Sequence, residues 1–176
     1  PYRVQTFGGF RLLRHHEPLR GPEAKAGSGK GKKRTLELLK FLFASGGEQV
    51  SESKVTDALW PRIDGDSAHR SFTSTLHRLR KLLGEDRAVI LHEGRVSLDR
   101  RYFWLDTWAF EQLAGDIEAA SGAEHEKTGE RLLALYRGSF MAEDADAAWL
   151  IPARARLRGR FSRILARLCH HLEERG

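Results

Sequence analysis

The chain has 176 residues, 40% of them apolar and 31% charged, which is enough for one ordinary domain or two small ones with real cores. A formal charge of +6 and a pI near 9.8 permit an anionic partner without requiring one. A single cysteine, Cys169, excludes an internal disulfide framework and a zinc site on paired cysteines, and no run of 18 apolar residues is present to span a membrane. The chain opens at Pro1 with no basic-then-apolar leader, so a piece of a longer or processed protein is expected.

Val4, Phe7, Phe10, Leu12 and Leu13 sit in short runs broken by Gly8 and Gly9, which predicts two or three small strands over 3–19. Residues 20–33, RGPEAKAGSGKGKK, hold almost nothing to bury and are expected to form a flexible loop. Helical spacing begins near Arg34, where Leu36, Leu38, Leu39, Leu42 and Phe43 make a stripe that stops at Gly46–Gly47. A second helix follows, capped by Ser51 and stapled by Val50 and Val55. Val55, Leu59 and Trp60 form its apolar side, and Pro61 ends it. The turn PRIDGD leads to a third helix over 67–84, with Asp66 as its expected cap and Gly84 as its stop.

AVILHEG and RVSLDRRYFWL are β-rich runs that turn at Glu93–Gly94, a hairpin signal. Asp106 is placed to cap the next helix, with Leu105 and Phe110 as a second staple. Helices near 108–120, 125–136 and 152–173 complete the chain. The last opens on Pro152 and carries Leu157, Phe161, Ile164, Leu165, Leu168 and Leu172 on its apolar side. Residues 1–106 hold 20 Lys/Arg against 13 Asp/Glu, a balance of +7, whereas 107–176 hold 10 against 11, a balance of −1. The basic character belongs to the first part, so a domain boundary is placed near 106. Trp104, Trp108 and Trp149 are expected to pack between the two parts.

The third helix separates its faces. At about 100° per residue, Phe72, Leu76, Leu79 and Leu83 fall within roughly 60° of one another. Arg70, Ser74, His77, Arg78 and Lys81 fall on the opposite side. Any amphipathic helix has a charged outer face, so this pattern alone fits a solvated surface as well as a DNA major groove. The order of elements favours DNA: a helix and short turn precede it, and a hairpin follows as a candidate wing. Arg95, Arg100 and Arg101 lie in or beside that hairpin, either at a solvated strand edge or reaching phosphate or the minor groove. Arg80 stands off the outer centre and suits phosphate or a packing edge.

Three helices and a wing after a small β-element resemble the OmpR/PhoB-type winged-helix DNA-binding domain. VQTFGGFRLL resembles its opening sheet, and KKRTLELLKFLFASGGEQVSESKVTDALWP its first two helices, ending in Ala58–Leu59–Trp60–Pro61. SFTSTLHRLRKLLG resembles the recognition helix of the SARP-like (Streptomyces antibiotic regulatory protein) branch of transcriptional regulators. A Leu–x–Arg–Leu–Arg pattern recurs in that branch, here Leu76–His77–Arg78–Leu79–Arg80. GRVSLD resembles the wing's return strand, with Arg95–Val96 where the family often has Gly-Tyr. LDTWAFEQL, ALYRGSF and Trp149 with the Arg-rich helix behind it resemble the start of the bacterial transcriptional activator domain (BTAD).

The resemblance implies an α+β winged helix-turn-helix, with an N-terminal small β-sheet and a C-terminal β-hairpin wing, over 1–106. It implies a short all-α, TPR-like, BTAD-like module over 107–176, shorter than the family's helical-repeat domain. It further implies sequence-specific binding of double-stranded DNA at repeated sites, by a homodimer or tandem subunits, and transcription activation in a bacterial cytoplasm. On this basis Arg70, Ser74, His77 and Arg78 are candidates for base contacts. Thr73, Arg80, Lys81, Arg95, Arg100 and Arg101 are candidates for phosphate, Thr73 standing where relatives often carry a basic residue. Arg62, Asp64 and Asp66, in the turn before the third helix, match the loop that faces RNA polymerase.

No chemistry competes with this reading. GSGKGKK lacks the Ser or Thr that a phosphate-binding loop requires after its lysine. Cys169, His170 and His171 are adjacent on a helix and diverge by about 100° each, so they cannot share one ion unaided. No triad, paired acid, metal or cofactor motif is present, and no enzyme is expected. The rival reading is a protein-interaction or scaffolding module of a larger signalling protein.

Overall fold

The computed structural model describes residues 1–19, 29–119, 123–144 and 146–173. The described strands are β1 Tyr2–Gln5, β2 Arg11–Arg14, β3 Glu17–Pro18, β4 Val50–Ser51, β5 Val89–His92, β6 Arg95–Leu98 and β7 Phe103–Leu105. The described helices are α1 Gly29–Ala44, α2 Glu52–Leu59, α3 Gly65–Leu83, α4 Asp106–Ala119, α5 Ala123–Leu135 and α6 Ile151–Glu173. They divide into two compact units. Residues 19–103 form the first, and residues 2–18 join 104–176 in the second.

The first unit is a winged helix. α3 packs on α1 and α2, and a sheet of order β4-β6-β5 follows. Its core is Leu38, Leu39 and Leu42 from α1, Val55 and Leu59 from α2, and Phe72, Leu76, Leu79 and Leu83 from α3, all at most 2% exposed. Burying each large side chain contributes roughly 2 kcal/mol, so the four on α3 fix which face turns outward. The sheet closes over this core through Val89, Val96 and Leu98.

The second unit is an antiparallel β1–β2–β3 meander, with β7 on the other side of β1, joined to a helical module. α4 packs on both α5 and α6. Phe7 meets Phe110 edge-on at 5.3 Å and Tyr136 at 4.8 Å, and Tyr136 stacks flat on Phe161 at 3.8 Å. The Arg154 guanidinium donates to the carbonyls of Phe140, Met141 and Asp144, which fastens the segment after α5 to α6.

Several expectations need correction. The expected loop over 20–28 lies outside the described residues, but Gly29–Lys33, also assigned to it, form the first turns of α1. Once Leu38, Leu39 and Leu42 anchor a helix, extending it through lysines costs little, and the Thr35 hydroxyl bonds back to the Gly31 carbonyl. The cap of α3 is Asp64, not Asp66: its carboxylate accepts the Ser67 amide three residues on, and Asp66 sits in the first helical turn. RVSLDRRYFWL is not one strand. It breaks at Asp99–Tyr102, so β6 stays in the wing and β7 joins β1. Val50–Ser51 pairs with Val96 and Arg95, making the wing sheet three-stranded. On α6, Leu165 and Leu172 are exposed, whereas Leu157, Ile164 and Leu168 are buried. Trp104, Trp108 and Trp149 all belong to the second unit.

Candidate nucleic-acid interface

α3 is a 19-residue helix held at both ends. Asp64 caps the start, and Gly84, with φ +67°, closes the end in the left-handed conformation that glycine adopts without strain. Hydrogen bonds from the Ser67 amide, then from its hydroxyl, hold the Asp64 carboxyl below its ordinary pKa. The buried stripe leaves Arg70, Thr73, Ser74, His77, Arg78 and Lys81 exposed together along the outer face. This is a convex, basic and hydroxyl-bearing ridge, of a width that a groove about 12 Å across accepts.

The outer side chains differ in their freedom. Arg70 donates to the Ser67 hydroxyl at 3.1 Å. Among the described residues, Ser74, His77, Arg78 and Lys81 make no ion pair. Arg78 reaches toward the start of α1, where its Nη1 lies 3.4 Å from the place a Cβ on Gly31 would occupy. His69, unnoticed in the sequence, bonds Glu52 on α2 at 2.5 Å. It lies about 60° from Phe72 around the helix, at the edge of the stripe rather than on the outer face.

Arg80 is placed differently from the other basic residues. It is half-buried, and its Nε and Nη2 donate to the Val89 carbonyl at 3.0 and 2.9 Å. Val89 begins β5, so this guanidinium fixes the wing to α3.

The wing turns at Glu93 and Gly94, whose positive φ values of 48° and 69° suit a tight two-residue hairpin. All three candidate arginines have partners within the protein. Arg95 donates to the Gln49 carbonyl at 3.4 Å, and Arg100 pairs with Glu48 at 2.9 Å. Arg101 donates to both oxygens of Asp99. Arg101 and its amide hold the Asp99 carboxyl below its ordinary pKa, and Asp99 in turn raises that of Arg101. The Arg100–Glu48 pair is exposed on both sides, so water and salt weaken it and a phosphate can compete. Ile90 and Leu91, which the sequence pattern did not single out, are exposed on the wing.

Arg62 and Asp64 before α3 and Asp66 in its first turn are exposed, although one Asp64 oxygen is occupied by the cap. Cys169 is exposed, and no group of three metal-ligating side chains occurs among the described residues. No described helix is long and apolar enough to cross a membrane.

No protein-family model matches the chain, and no curated protein matches it. Among solved structures it is similar to Mycobacterium tuberculosis EmbR, in a structure of that protein in complex with a low affinity phosphopeptide. The TM-score is 0.67 at 20% identity, covering 91% of this chain and 42% of the EmbR chain. At that identity the likeness is one of fold. The chain spans less than half the length of the solved protein it resembles.

Proposed function

We propose that this chain is a SARP-like transcriptional regulator that binds double-stranded DNA in a sequence-specific manner. The observation that carries the reading is the outer face of α3: six exposed polar residues opposite a fully buried stripe, with a wing fastened to the same helix. In this reading residues 1–106 make an OmpR/PhoB-type DNA-binding domain and 107–176 a BTAD-like helical module. Arg70, Ser74, His77 and Arg78 meet base edges, where a guanidinium bridges guanine O6 and N7 and the others offer single hydrogen bonds. Lys81, Thr73, Arg95, Arg100 and Arg101 meet phosphate, joined by the N–H groups of Arg80 that Val89 leaves unused. Paired or tandem subunits occupy repeated sites in a bacterial cytoplasm, and Arg62, Asp64 and Asp66 face RNA polymerase to activate transcription.

Selection of duplexes from a random pool, followed by fluorescence anisotropy at several salt concentrations, tests this. A steep salt slope and preferred sites bound at least ~10³-fold more tightly than random DNA are expected. A shallow slope with no preferred sequence would refute it. That result would favour the rival, a protein-interaction module, for which the exposed Leu133, Ile151, Leu165 and Leu172 of the helical module speak.

A further inference from the structure

A cavity of about 250 Å³ lies within the second unit, beside the amino-terminal sheet. Its lining includes three arginines: Arg3 on β1, Arg11 on β2 and Arg137 just after α5. Among the described residues none of the three pairs with a carboxylate. Arg3 lies over the ring of Trp104, 4.6 Å from its centroid, and Trp104 is itself 37% exposed.

The cavity is built, not incidental. Gly8 has φ +84°, and a Cβ there would stand 3.0 Å from the Arg137 carbonyl oxygen. A Cβ on Gly9 would stand 3.2 Å from Glu143 Oε1. The two glycines let the β1–β2 connection close onto the segment after α5. That segment is then fastened by Gly8 N–H to the Ser139 carbonyl at 3.0 Å and by Met141 N–H to the Thr6 carbonyl at 2.7 Å. Arg137 therefore projects from backbone held on this side by the sheet and on the other by Arg154.

Two carboxylates also line the cavity. Asp106 accepts from the amides of Thr6, Phe7 and Thr107 and from the Thr6 hydroxyl, so its oxygens are committed within the protein although its charge remains. Asp106 and Glu143 together offset two of the three positive charges, which leaves the lining with a balance of +1. Guanidinium groups recognise carboxylate and phosphate through paired N–H donors, and Trp104 and Phe10 supply apolar walls. The volume is below the roughly 300–1,000 Å³ of drug-sized sites, which limits the ligand to about one ring.

We propose that this cavity binds a small organic anion, a carboxylate or phosphate monoester carried on a flat apolar ring. The proposal is independent of DNA binding. Isothermal calorimetry on the full chain tests it with phenyl phosphate, benzoate, inorganic phosphate and benzyl alcohol. At least one ring-bearing anion is expected to bind saturably with a Kd below ~1 mM. Inorganic phosphate should bind about tenfold more weakly, and benzyl alcohol not at all. The phosphate and carboxylate arms identify which headgroup is preferred.

Arg11→Gln and Arg137→Gln should each weaken binding about tenfold, and Glu143→Gln should tighten it severalfold. Arg11, Arg137 and Glu143 are all exposed, so these variants are expected to melt like the parent, which circular dichroism checks. Absence of saturable binding up to ~10 mM would overturn the proposal. Equal binding of inorganic phosphate, or unchanged affinity in folded Arg11→Gln and Arg137→Gln, would also overturn it.

Discussion

Thr6 and Asp106, one hundred positions apart, are joined twice: the Asp106 carboxylate accepts the Thr6 amide at 2.7 Å and the Thr6 hydroxyl at 2.5 Å. The same carboxylate takes the Phe7 amide at 3.0 Å, and it is 4% exposed. Asp106→Ala would strand buried amides without acceptors, and a loss of about 3 kcal/mol is expected. Thr6→Val removes one donor with its partner otherwise satisfied, so about 1.5 kcal/mol is expected. Urea denaturation measures both. Equal losses would show that the hydroxyl, not the amides, carries the junction.

Arg80 connects α3 to the wing through one carbonyl. Arg80→Met keeps the aliphatic stem but leaves the Val89 oxygen without its charged donor, at a cost of about 2 kcal/mol. Amide exchange should quicken in β5 and β6 more than in α2. Uniform quickening across the first unit would mean that the bond does not single out the wing.

On DNA, Arg78→Ala should weaken binding to a selected site by about 1–3 kcal/mol and relax preference at one base pair. Lys81→Ala should weaken selected and random duplexes alike and reduce the salt slope by about 1. His77→Ala should change the ranking of sites more than affinity for random DNA. Anisotropy titrations on both duplex types separate the three. An unchanged Kd for Arg78→Ala and Lys81→Ala would remove α3 from the interface.

The Asp64 cap gives a pH signature. Its carboxyl is held below the ordinary value of 3.8, so it binds a proton less readily in the folded chain than in the unfolded one. Its stabilising effect is therefore complete above that value and is lost as pH falls through the lower, folded pKa. Asp64→Ala should melt below the parent at pH 7, with the gap closing below about pH 3.8. Asp66→Ala should melt close to the parent throughout. Calorimetric melts across pH check both, and the reverse order would restore Asp66 as the cap.

What was legible in the sequence follows from how local each signal is. Both faces of α3 could be read because Phe72, Leu76, Leu79 and Leu83 repeat at helical spacing and all reach the core. The hairpin could be read because Gly94 adopts positive φ without strain. The start of α1 could not, since Gly29–Lys33 contains no apolar residue to carry a period. Asp64 and Asp66 flank the same glycine, and only the bond to Ser67 separates them. Leu165 and Leu172 lie about 80° and 60° around α6 from Leu157, at the margin of an arc whose centre alone is covered. The wall formed by Arg3, Arg11 and Arg137 was not visible at all, because sheet pairing and a distant turn bring those residues together.

The pairing of the first strands with residues beyond 103 sets an order of events during synthesis. A ribosome adding about 5–20 residues per second makes β1 roughly 5–20 s before Asp106 exists to bind Thr6. Throughout that interval the β1–β2–β3 meander lacks β7, and β1 is an open edge able to pair with another chain. The winged helix between them contains its own core and can fold meanwhile. A shortened chain ending before Trp104 would keep that edge permanently open to pairing with another chain.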